Sequence, residues 1–86
     1  MDLASALERL GAHLKQDVTY RPTAADPRTQ RVHVNAGGHD WELLLAGTKF
    51  YDTHARRGGG GGVDLVMHLW CVPFKQAANM LREAGL

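Results

Sequence analysis

The chain reads as an α+β domain with a leading helix, a three- or four-stranded antiparallel sheet and two closing helices. Three observations carry that expectation. Leu3, Leu7, Leu10 and Leu14 fall on one helical stripe near the N-terminus. Arg31 to Asn35 alternates, with Val32 and Val34 on the apolar side, and turn residues follow. After the glycine run Gly58 to Gly62, apolar residues return at helical spacing on both sides of Pro73.

Composition sets the bounds. At 86 residues the chain is one domain, burying about 60% of the surface its unfolded form exposes. That is a modest core without a deep interdomain cleft, so an enzyme is not expected. Ten Lys and Arg against nine Asp and Glu leave a net charge of +1, so a nucleic-acid signal has to come from local patches. Cys71 is the only cysteine, which excludes an intrachain disulfide and a thiolate zinc cluster. No apolar run approaches the roughly 20 residues of a membrane helix. The N-terminus also lacks the basic-then-apolar order of a signal peptide. A cytoplasmic protein is expected.

In order, residues 1–15 form the leading helix, with a possible break at Gly11. Residues 16–30 are an irregular connection marked by Pro22, Asp26 and Pro27, with Val18-Thr19-Tyr20 as a candidate short strand. The sheet occupies 31–52: a first strand from Arg31, a turn at Gly37-Gly38, a second strand from Trp41, a Gly47-Thr48 hairpin and a third strand, Lys49 to Asp52. Residues 53–62 read as a basic glycine loop, because glycine loses the most backbone entropy in a helix or strand interior. Residues 63–86 hold the closing helices. In the first, Val63, Val66, Met67 and Trp70 face one way, beside Leu65 and Leu69. In the second, Phe74, Ala77, Ala78 and Leu81 form the apolar side, and Gly85 is the stop.

The glycine loop is the first candidate site. It empties into a helix whose unpaired N-terminal amides favour an anion, and Arg56 and Arg57 stand beside it. The same glycines equally suit a chain that has only to turn sharply, and Asp64 already complements the helix dipole. No Lys-Ser/Thr pair follows, so this is not a nucleotide-hydrolysing loop. Basic side chains next to an aromatic ring suit a single strand, which makes Tyr51 a stacking candidate as well as a core one. His54, Lys49 and Arg31 are further candidates. Asp64, His68 and Cys71, with Asp52 or His54 from the adjacent strand end, can be drawn as a metal cluster, but their spacing follows no established ligand pattern. A Cys71–His68 nucleophile pair lacks an orienting group. No metal and no cofactor are assigned.

Phe50-Tyr51-Asp52, a basic turn, glycines, Val63-Asp64-Leu65-Val66-Met67-His68-Leu69 and then Val72 to Leu81 resemble the second half of the zinc-binding domain of bacterial DNA primases. The likeness is greatest to the metal-free forms in plasmid and phage proteins with a TOPRIM domain, and it runs from about Val32 to Leu86. It implies a zinc-ribbon-like sheet without metal. The family's three cysteines and histidine are missing, since no cysteine precedes Cys71, so no ligand role carries over. Pro73 replaces the serine that caps the last helix in the family, and no TOPRIM motif follows Leu86, so primer synthesis by this chain alone is not expected.

The resemblance implies a single-stranded-DNA-binding accessory module of plasmid or phage replication or transfer. Arg56 and Arg57 would meet phosphates, Tyr51 would stack, the amides of Gly59 and Gly60 would assist, and a primase or helicase would be the protein partner. The alternative is an interaction or inhibitor module of a mobile element, docking on a replication or host-defence protein through Trp70 or the leading helix.

Overall fold

A computed structural model describes residues 2–21 and 27–86. Pro22 and Asp26, two markers of the irregular connection, lie outside the described residues. The order is α1 (Leu3–Arg9), β1 (His13–Gln16), β2 (Gln30–Ala36), β3 (His39–Ala46), β4 (Lys49–Asp52), β5 (Arg57–Gly60), α2 (Gly62–Trp70) and α3 (Phe74–Glu83). The α+β architecture is as expected. The sheet has five strands, not three or four, all antiparallel and in sequence order.

Both extra strands come from segments assigned otherwise. The leading helix stops at Arg9 rather than running through 15. Gly11 takes φ +83, and the Gly11 and Ala12 amides donate to Glu8 O (3.1 Å) and Leu7 O (3.0 Å). That is a Schellman termination, which needs a left-handed residue where glycine stands. Asp2 caps the other end by accepting from the Ser5 amide at 2.9 Å. Leu3 and Leu7 are buried as the stripe implies, but Leu14 is half-buried on β1, where it reaches the core by strand alternation. Val18-Thr19-Tyr20 is a turn rather than a strand, folded on the Asp17 carboxylate, which accepts from the Thr19 amide (2.9 Å) and hydroxyl (2.6 Å).

The second extra strand is the larger correction. Arg57–Gly60 is not a loop but pairs with β4, with Phe50 opposite Gly59 and Tyr51 opposite Gly58. A Cβ on Gly59 would lie 2.9 Å from Phe50 Cε1 and 2.7 Å from Asp64 Oδ2. The entropy that glycine loses in a strand is the cost of letting α2 and the Phe50 ring close over this backbone.

The sheet buries one face. Val32, Val34, Ala36, Leu43, Leu45 and Phe50 meet Leu3 and Leu7 of α1 and Leu65 and Leu69 of α2. On its far side α2 packs Val66 against Ala77 and Leu81 of α3, with Val63, Met67 and Trp70 half-buried around them. The expected Val63–Trp70 stripe therefore faces α3, and the sheet takes Leu65 and Leu69. Phe74 leaves the apolar side expected for α3: it is 65% exposed. Gly85 (φ +83) stops α3 with a second Schellman pair, Leu86 N–H to Leu81 O at 2.9 Å. Among the described residues, no helix is long and apolar enough to cross a membrane.

Candidate nucleic-acid interface

Strand alternation sorts the candidate residues onto two faces. With Phe50 and Asp52 buried, Lys49 and Tyr51 point away from the helices. Register extends that outer face into rows. Tyr51 stands opposite Leu44, which stands opposite Arg31. Lys49 stands opposite Ala46 on one side and Gly60 on the other. A second row runs Lys15, His33, Glu42, and His54 joins it from the β4–β5 turn, its Nε2 4.0 Å from Glu42 Oε2. No helix among the described residues covers these rows.

Tyr51 is 41% exposed, so its ring is presented to solvent rather than spent in the core. Gly58 and Gly60 flank it without side chains, leaving the sheet low on that side. Arg31 is less available. Its Nη2 is 2.6 Å and its Nε 2.8 Å from Asp17 Oδ2, and its guanidinium lies 5.5 Å from the Tyr20 ring centroid. Hydrogen bonds from Thr19, then from Arg31, hold the Asp17 carboxyl far below the ordinary carboxylate range.

Arg57 does not share the face of Tyr51. Arg57 pairs with Asp52, on the helix side, and lines a cavity of about 310 Å³ with Asp64, Met67, His68 and Cys71. Arg56 holds φ +55 at the exposed turn between the two sides. The glycine amides are also committed. Gly60 N–H donates to Asp64 Oδ2 at 3.3 Å and Gly61 N–H to Thr48 O at 2.7 Å. By ladder alternation Gly59 turns its polar groups towards Phe50. Gly59 and Gly60 therefore offer no amide to a phosphate, and the Asp64 carboxylate already occupies that helix end.

Of the residues drawn as a metal cluster, His54 turns its ring to the outer face, and those on the helix side bond one another or nearby backbone. Asp52, 2% exposed, accepts from the amides of His54 (3.0 Å) and Ala55 (3.1 Å), and from His68 Nε2 at 2.7 Å. An ionised carboxylate only accepts, so the proton sits on Nε2. His68 lies between the rings of Trp41 (5.5 Å) and Phe50 (5.7 Å). Burial pushes the Asp52 carboxyl up, but the bonds from His68, Ala55 and His54 outweigh it and hold it below the usual value. Cys71 is exposed, its Sγ 3.9 Å from the His68 carbonyl. No three His, Cys, Asp or Glu among the described residues converge on a metal position, so the donors present do not fit a zinc ion. The Asp52–His68 pair instead ties α2 to the β4–β5 turn.

Sequence reasoning missed Lys15, His13 and His33 as members of the outer face. The signal was there in His13-Leu14-Lys15-Gln16, which alternates directly after a glycine able to end a helix.

Comparison with known proteins adds one partial likeness. The 65 kDa protein of Zymomonas mobilis subsp. mobilis is 38% identical over 45 residues, which is 52% of this chain and 8% of that protein. The chain thus spans less than a tenth of that relative's length, and the relative's name states no activity. No family model and no solved structure matches the chain.

Proposed function

We propose that this domain binds single-stranded DNA across the uncovered outer face of its sheet, as an accessory module of plasmid or phage replication or transfer. The observation that carries the reading is Tyr51: an aromatic ring 41% exposed, next to Leu44 and Lys49, on a sheet face that no helix among the described residues covers. A ring of this kind offers a stacking surface to any base, while neighbouring cations follow the backbone. Lys49 and the turn residue Arg56, neither in an ion pair among the described residues, supply the charge. Arg31 contributes less because Asp17 holds it, and Arg57 belongs to the other side.

The rival reading, docking through Trp70 or the leading helix, has less surface to use. Leu3, Ala6 and Leu7 are buried in the domain's own core, and Trp70 is half-buried against α3.

Fluorescence anisotropy with a labelled oligonucleotide at two salt concentrations tests the proposal. Binding should weaken with salt, by a slope of about 0.7 per phosphate contact. Tyr51→Ala should weaken it by about 1–3 kcal/mol, roughly 5- to 150-fold, with the slope kept. Arg57→Ala should stay near wild type. No binding at low salt, or Arg57→Ala costing as much as Tyr51→Ala, would refute the assignment of this face.

A further inference from the structure

The outer face has a second part, beyond the Tyr51 row. His13 and Lys15 of β1, His33 of β2, Asp40 and Glu42 of β3, and His54 of the turn line a depression of about 400 Å³. Its charge is poised. With the histidines neutral, one lysine stands against two carboxylates, a formal excess of one negative charge. With three imidazolium ions the same depression carries an excess of two positive charges. Protonation thus reverses the sign of the field beside the Tyr51 row, and imidazole is the side chain whose charge changes between about pH 5 and 8.

The surroundings of each ring are these. His33 Nε2 lies 3.6 Å from Asp17 Oδ2, while Lys15 and Glu42 stand opposite it on the neighbouring strands and Arg31 lies along its own. His54 Nε2 faces Glu42 Oε2 at 4.0 Å. His13 stands opposite Asn35, whose Nδ2 donates to Asp40 at 2.9 Å. All three rings are exposed, so a strand's phosphates reach them without rearrangement of the core.

We propose that His13, His33 and His54 form a protonation-gated phosphate subsite on the outer face, so that single-stranded DNA binds with uptake of protons and grips harder below neutral pH. This rests on the single-strand reading of the face. By linkage, phosphates that favour imidazolium raise its population, and imidazolium raises DNA affinity by the same factor.

The test uses a labelled oligothymidylate, whose bases do not titrate in this range, at about pH 8 and about pH 6 with salt varied at each. Wild type should bind about tenfold or more tightly at the lower pH, with a salt slope steeper by up to about 2, since each added phosphate contact is worth about 0.7. In His33→Gln/His54→Gln the ratio of the two affinities should fall towards one. Calorimetry in two buffers of different ionisation enthalpy should show net proton uptake by wild type. Circular dichroism at both pH values confirms the fold. Equal binding at the two pH values, or a double variant that keeps the full rise, overturns the subsite and leaves the single-strand reading standing. No binding at either pH overturns both.

Discussion

Replacing single glycines in β5 separates a packed strand from a loop. In Gly59→Ala the new methyl carbon would sit 2.9 and 3.0 Å from Phe50 Cε1 and Cζ and 2.7 Å from Asp64 Oδ2, where ordinary contact begins at 3.4 Å. Phe50 is 6% exposed and stacks near His68, so its ring has little room to retreat. Asp64 can swing away, but then loses the Gly60 amide. Overpacking of this kind costs about 1–3 kcal/mol. The stiffer unfolded chain returns about 0.4–1 kcal/mol, leaving a net loss centred on about 1.3 kcal/mol and reaching about 2.6 kcal/mol. Gly60→Ala places its methyl on the outer face, 3.7 Å from Thr48 O, with no left-handed φ to strain. It should be neutral or stabilising by up to about 1 kcal/mol. Urea unfolding followed by tryptophan fluorescence reads the difference. With a slope of about 1 kcal/mol/M for so small a domain, the two midpoints should lie about 1–3 M apart. Equal midpoints, or Gly59→Ala more stable than wild type, would show that β5 does not pack beneath Phe50 and Asp64.

Asp52→Ala leaves His68 Nε2–H and two turn amides without their acceptor, and should destabilise by about 2–4 kcal/mol once the amides partly rehydrate. The pH signature follows from the lowered carboxyl. Its contribution is complete above the unfolded value of about 3.9 and is lost as pH falls through the lower folded value. Urea midpoints measured through that acid range should drop more steeply for wild type than for Asp52→Ala. Leu81→Asp puts an unpaired carboxylate between α2 and α3, where Leu81 is 9% exposed, and should abolish cooperative unfolding; a Leu81→Asp variant with a wild-type midpoint would mean α3 does not close the core.

Some of this was legible in the chain itself. The strands at Val32–Val34, Trp41–Ala46 and Lys49–Asp52, the hairpins at Gly37-Gly38 and Gly47-Thr48, and the two helices around Pro73 all follow from side-chain period and turn chemistry. These are local properties, written within a few residues of where they act. So was the presence of Tyr51, Lys49 and the arginines near one another in sequence. Which of them share a face was not. That depends on the parity of β4 against β5, and β5 is invisible to propensity because its residues are glycine. Its strand conformation comes from the edge of β4 and from the ring and helix that need its missing side chains. β1 is decided in the same way. Gly11 and the alternation after it permit a strand here, but four residues are too short to decide it, and pairing with β2, about twenty residues later, draws them out of the helical stripe. The Asp52–His68 clamp and the histidine-lined depression join residues that no local pattern connects. Sequence period decides what each segment can be; long-range pairing and the exclusion of a Cβ decide which side chains meet.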